Sequence, residues 1–65
     1  MITKAEAKRQ VEAELQSLKL QRRMTDLQMM VFCQRMAGSL DFRTASSKYR
    51  IIRSWVQDWQ RAKFA

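Results

Sequence analysis

The chain of 65 residues has no proline, no histidine, one glycine and one cysteine. Each scarcity excludes something. With no proline and with Gly38 as its lone glycine, the sequence offers few places to break a helix, and Gly38 is the obvious one. Without histidine, and with Cys33 alone, no metal-ligand set of recognisable spacing can be assembled and no disulfide can form within the chain. Clustered carboxylates and a phosphate-cradling glycine loop are missing as well. Hydrolytic or transfer chemistry would lack a base near neutrality, an activated nucleophile or a metal, so neither an enzyme nor a cofactor is expected. No apolar run reaches the roughly eighteen residues that a membrane span needs, and Met1 to Ala13 is too charged for the apolar middle of a secretory signal. No membrane partner is expected, and the chain is placed in the cytoplasm.

What the sequence has in excess is positive charge. Thirteen Lys and Arg stand against six Asp and Glu, giving a net charge of +7 and a pI near 10.6. Such an imbalance attracts nucleic acid or an anionic membrane surface, and it also serves plain solubility. One domain of this size buries a small core, and with disulfide and metal excluded, self-association is the remaining route to extra stability.

Helix signals run through almost the whole chain. "TKAE" opens the first segment, with Thr3 as cap and Glu6 as the reciprocating residue of a capping box; good helix formers then continue to about Met24. The expected helix over 3–24 has a thin apolar stripe, Ala7, Val11, Leu15 and Leu18, suited to contact with one other helix. That helix is either a second subunit's or the chain's own second helix. "TDLQ" repeats the capping box with Thr25 and Gln28, and predicts a central helix over 26–37 that stops at Gly38. Leu27, Met29, Met30, Val31, Phe32, Cys33 and Met36 cover more than one of its faces, so contact on two sides is expected. Core filling is the commoner use of such methionines, and Cys33 has no histidine to activate it.

Beyond Gly38 the pattern shortens. Asp41 is a plausible cap for a helix from Phe42 to Lys48, with Phe42, Ala45 and Tyr49 inward; a turn follows over Tyr49–Ile52, and a last helix over 53–63. Val56 and Trp59 continue an inward line begun by Ile51 or Ile52, leaving Arg53, Ser54, Gln57, Asp58 and Arg61 outward. Trp55 packs at the domain edge against Phe42 or the first helix, or else contacts a partner. Asp58 either pairs with Arg61 or accepts from a cytosine amine.

From Gly38 to Gln60, "GSLDFRTASSKYRIIRSWVQDWQ" resembles the homeodomain-like helix-turn-helix of bacterial transposases and small phage or plasmid regulators. Phe42 matches the family's apolar start, Ser46 its small crossing residue, Tyr49 and Ile51 the apolar residues about the turn, Val56 and Trp59 the inward pair. Arg50 stands where the family has a glycine of positive φ, and Ile52 where it has a capping Ser or Thr, which predicts a wider join or a later helix start. The resemblance implies duplex DNA binding through the last helix, frequently as a dimer.

The expected architecture is therefore all-α: one domain, three to four helices, a long N-terminal helix and a C-terminal helix-turn-helix over 41–63. The expected function is sequence reading of double-stranded DNA in a small transcriptional regulator of a mobile element, phage or bacterium, associated with the nucleoid. Arg53 and Gln57 would read guanine and adenine in the major groove, and Lys48, Arg50, Ser54, Arg61 and Lys63 would hold phosphates. A homodimer through Val11, Leu15, Leu18 and Phe64 would pair two recognition helices. The rival expectation is a small helical adaptor or inhibitor that binds a protein partner through a Met- and Trp-bearing surface.

Overall fold

The computed structural model describes residues 1–64, and these residues form three helices: α1 (Lys4–Ser17), α2 (Asp26–Ser39) and α3 (Lys48–Lys63). Among them there is no strand; Ile2 and Phe42 form an isolated parallel bridge, in which the Ile2 N–H donates to the Asp41 carbonyl at 2.9 Å. The all-α class is as the sequence predicts.

Local signals set two of the three helix starts. The Thr3 hydroxyl accepts from the Glu6 amide at 3.1 Å and opens α1. At α2 the capping box is complete: Thr25 Oγ1 accepts from the Gln28 amide at 3.2 Å, and Gln28 Oε1 accepts from the Thr25 amide at 3.0 Å. Ser47 precedes α3 without a side-chain capping bond.

The N-terminal helix is shorter than the expected 3–24. It ends at Ser17, whose hydroxyl donates to the Glu14 carbonyl at 2.8 Å and competes with the helical ladder. Lys19 then turns into the left-handed region at φ 51°, donating its N–H to the Gln16 carbonyl at 3.2 Å. Residues 18–24 have good helix propensity, yet tertiary contacts override it. Leu20 and Met24 pack on the core, and the Met24 N–H donates at 2.6 Å to Oε1 of Gln60, a side chain only 3% exposed. At the other boundary α2 runs through Gly38 to Ser39, where a Cβ at Gly38 would meet nothing within 4 Å.

The helix-turn-helix expected over 41–63 is not formed. Residues 41–47 are not helical, and α3 runs unbroken through the expected turn at Tyr49–Ile52. Three causes act together. The pairing of Ile2 with Asp41 needs extended backbone, and it seats Phe42 in the core. Thr44 Oγ1 accepts from the Ser46 amide at 3.2 Å, a local alternative to helix. Finally, Tyr49 to Ile52 contains neither glycine nor proline, so nothing bends the chain where Arg50 replaces the family's glycine.

α3, not α2, is the central helix. It packs against both others, whereas α1 and α2 meet only marginally. A hollow of about 520 Å³ lies between those two, lined by Gln10 and Glu14 on one side and by Arg35 and Met36 on the other. Ile52 and Val56 are fully buried on α3, Ala7, Val11 and Leu15 on α1, and Cys33 on α2. Each fully buried aliphatic side chain of this size stabilises by about 2 kcal/mol. The Val11 and Leu15 expected at a dimer interface are therefore core residues of the single chain. Neither expected partner covers the stripe: its Ala7, Val11 and Leu15 pack against α3, the last helix, and hardly against α2, while Leu18 is exposed.

Two outcomes are expected in urea unfolding. Gln60→Met keeps the volume but leaves the Met24 amide without its acceptor, so the midpoint should fall with little change in slope, a loss of about 1–3 kcal/mol. Lys19→Gly removes the side-chain penalty of the left-handed conformation and should raise stability by about 1 kcal/mol.

Candidate nucleic-acid interface on α3

With its inner ridge of Ile52, Val56 and Gln60 buried, α3 divides into sectors at 3.6 residues per turn. Tyr49, Ile51, Trp55 and Trp59 flank the ridge and are half-buried. On the far side Arg50, Arg53, Ser54, Gln57, Asp58 and Arg61 are all exposed and occupy an arc of roughly 140°. The arc runs along a helix of 16 residues, about 24 Å long. The structure thus brings together five of the seven residues expected to touch DNA.

The other two lie elsewhere. Lys48 is half-buried, its Nζ donating to the Leu40 carbonyl at 3.0 Å and standing 5.8 Å from the Phe42 ring centroid. This amine ties the 40–47 connector to the first turn of α3. Lys63 lies on the ridge side of the helix, with Nζ 4.9 Å from the Trp59 ring centroid and 5.9 Å from that of Phe64. Its charge is partly held by aromatic faces.

Three further side chains are engaged within the chain itself. Trp55 packs on Phe42, ring centroids 5.6 Å apart. Asp58 pairs with Arg61 at 3.8 Å, an exposed pair that contributes little and leaves Arg61 able to swing away. Phe64 folds back onto Trp59 in an edge-to-face contact at 6.3 Å, so it is engaged within its own chain. Of the four expected dimer residues, Leu18 alone is exposed.

A further contributor comes from outside α3. Arg23 lines a hollow of about 430 Å³ together with Gln57, Gln60 and Arg61 of α3 and Asp26 of α2. It stands there because Gln60 holds the neighbouring Met24 amide, a contact spanning 36 positions that no local pattern signals. Arg43 adds a further exposed cation in the connector that leads into α3. The arc and its margins thus present planar guanidinium groups and one amide side chain, donors matched to phosphate and to purine edges. Asp58 and Asp26 are the carboxylates beside them.

Cys33 sits behind this face. Burial pushes its thiol above the ordinary value, and the nearby Arg53 guanidinium offsets part of that rise. Among the described residues no group of three or more His, Cys, Asp or Glu could hold a metal ion, and no helix is long and apolar enough to cross a membrane. No family model matches the chain, and no match is found among curated proteins or solved structures.

The thiol gives a direct check on this packing. A neutral Cys33 is favoured by the fold, so its contribution to stability is fully present below the unfolded-state pKa and is lost as pH rises through the higher folded-state value. Unfolding midpoints should fall as pH climbs beyond about 9, and Cys33→Ala should flatten that part of the profile. At pH 8 a disulfide reagent should label the folded chain at least about tenfold more slowly than the chain in urea.

Proposed function

We propose that the chain binds duplex DNA by laying the exposed arc of α3 in the major groove. One observation carries the reading: Arg50, Arg53, Ser54, Gln57 and Arg61 share a single solvent-facing side of one helix in a protein of net charge +7. A helix about 10–12 Å across fits a groove about 12 Å wide. The docking element is a continuous helix, in place of the helix-turn-helix implied by the sequence resemblance.

Arg53 and Gln57, one turn apart, are assigned to base edges, the planar fork to guanine and the amide to adenine. Arg50, Ser54 and Arg61 are assigned to phosphates on either side. Arg23 and Arg43 extend the cationic margin, and Arg61 exchanges its weak pairing with Asp58 for a phosphate. Lys48 and Lys63 are left out, since the Lys48 amine is bonded to the Leu40 carbonyl and the exposed Lys63 lies on the ridge side of α3 over the Trp59 ring, away from the arc. Contacts of this kind serve a small transcriptional regulator of the sort carried by mobile elements, phages or bacteria.

Fluorescence anisotropy on random duplex and on duplex enriched by selection tests the assignment. With four phosphate-facing arginines, log K should fall with log salt at a slope of about −3 to −4. Arg61→Ala should weaken both duplexes alike and reduce that slope by about one. Arg53→Ala should cost about 1–3 kcal/mol on the enriched duplex only, while Lys63→Ala leaves both curves near wild type. Equal losses on the two duplexes for Arg53→Ala would remove base reading, and absence of binding at low salt would remove the proposal.

A further inference from the structure

The chain's exposed apolar surface is concentrated on the side of α2 that α3 leaves open. Leu27, Met30 and Val31 are 65%, 40% and 56% exposed, and Leu18 at the end of α1 is 43% exposed. Of these, Leu18, Leu27 and Val31 share one groove, and Met30 lies outside it. Leu18, Leu20, Met24, Leu27, Val31 and Phe32 line a groove of about 450 Å³ between the 18–25 loop and α2. Gln28 and Arg35 complete its lining. An adjoining hollow shares Leu18, Leu20 and Gln28 with the groove and adds Lys19, Arg22 and Arg23.

The charge around this apolar floor has one sign. The two linings hold four cations, Lys19, Arg22, Arg23 and Arg35, and no carboxylate. Glu14 approaches Arg35 at 4.0 Å but lies outside both linings. Along α2 the groove runs from Leu27 to Arg35, roughly 12 Å at helical rise, with Met24 just ahead of the helix. Its helical residues Leu27, Gln28, Val31 and Arg35 follow the three-and-four spacing by which a second helix is gripped.

We propose that this groove receives an acidic amphipathic helix from a partner protein. Apolar residues of that helix, spaced i, i+4 and i+7, fill the space between Leu18 and Leu20 on one wall and Leu27 and Val31 on the other. Carboxylates along one edge meet Lys19, Arg22 and Arg23. Charge decides among the occupants. A second copy would bring two such clusters of like charge together on molecules of net charge +7 each. Duplex DNA would meet the cations but gain nothing from the apolar floor. A lipid surface is engaged by a protruding apolar face, and this one is concave. Arg23 borders both the groove and the arc of α3, but no other lining residue of the groove belongs to the arc, so its occupancy does not depend on the DNA reading.

Binding to the full chain is measured with a synthetic fifteen-residue helix bearing Leu at i, i+4, i+7 and i+11 and Glu elsewhere on its polar side, and with its counterpart bearing Lys for Glu. Expected is saturable binding of the acidic peptide, with amide shift changes confined to residues 18–35. Val31→Glu at the exposed wall, and separately Arg22→Glu with Arg23→Glu, should each weaken it at least about tenfold. Arg53→Ala should leave peptide affinity unchanged, which separates this result from the fate of the DNA proposal. The proposal is overturned if both peptides bind equally or neither binds. It is likewise overturned if sedimentation shows a dimer that Val31→Glu dissolves, or if phosphatidylglycerol vesicles shift residues 18–35 when the acidic peptide does not.

Discussion

Because α1 and α2 scarcely touch, the apolar surface of each has to be covered by α3, and the ridge of Ile52, Val56 and Gln60 does this for both at once. Two aliphatic side chains supply the burial and an amide supplies the register. Gln60 is the polar member of an otherwise apolar core, and its oxygen fixes the Met24 amide at the threshold of α2. A shift of α3 along its axis by one residue would strand that amide and turn a half-buried tryptophan into the ridge. The position of every other element follows from this seating, including the 18–25 loop and the arginines it carries.

The same seating makes α3 both keystone and surface. Its inner sector is committed to two neighbours, so its outer sector is the part of the helix left open along its length, and that sector is where the arginines fall. A ligand bound there stabilises the helix on which the fold closes, by an amount set by its concentration relative to its dissociation constant. Removal of the ligand returns a cationic protein whose like charges oppose compaction. Under the proposed DNA reading, folding and recognition are thus thermodynamically linked through one element.

Much of this was legible in local patterns. Thr25 and Gln28 announced α2 because a capping box is closed by residues three apart. Val56 was recognisable as core by spacing, and the outward set on α3 by the same periodicity; Phe42 is core as expected, but the helical spacing that placed it inward does not exist, and Ala45 of that expected line is exposed. The early end of α1, the missing helix over 42–48 and the unbroken run through 49–52 were not legible. The first two depend in part on contacts between distant parts of the chain, Gln60 with Met24 and Ile2 with Asp41, and the third on the absence of glycine and proline from Tyr49 to Ile52. Propensity over 18–24 favoured helix and lost to those contacts. The thin stripe on α1 was correctly seen as a helix contact, but sequence alone does not say whose helix, and α3 claims it. Resemblance over 38–60 misled in the turn because side-chain order carries over more easily than backbone bends, and Arg50 lacks the freedom of the glycine it replaces.

The short pairing of Ile2 with Asp41 reaches further than its single hydrogen bond suggests. It joins the residues ahead of α1 to the connector between α2 and α3, while the tie from Met24 to Gln60 joins the other connector to the far end of the last helix. Peeling any one helix away from the others strains or breaks at least one of these two fastenings, which couples the opening of each helix to that of its neighbours.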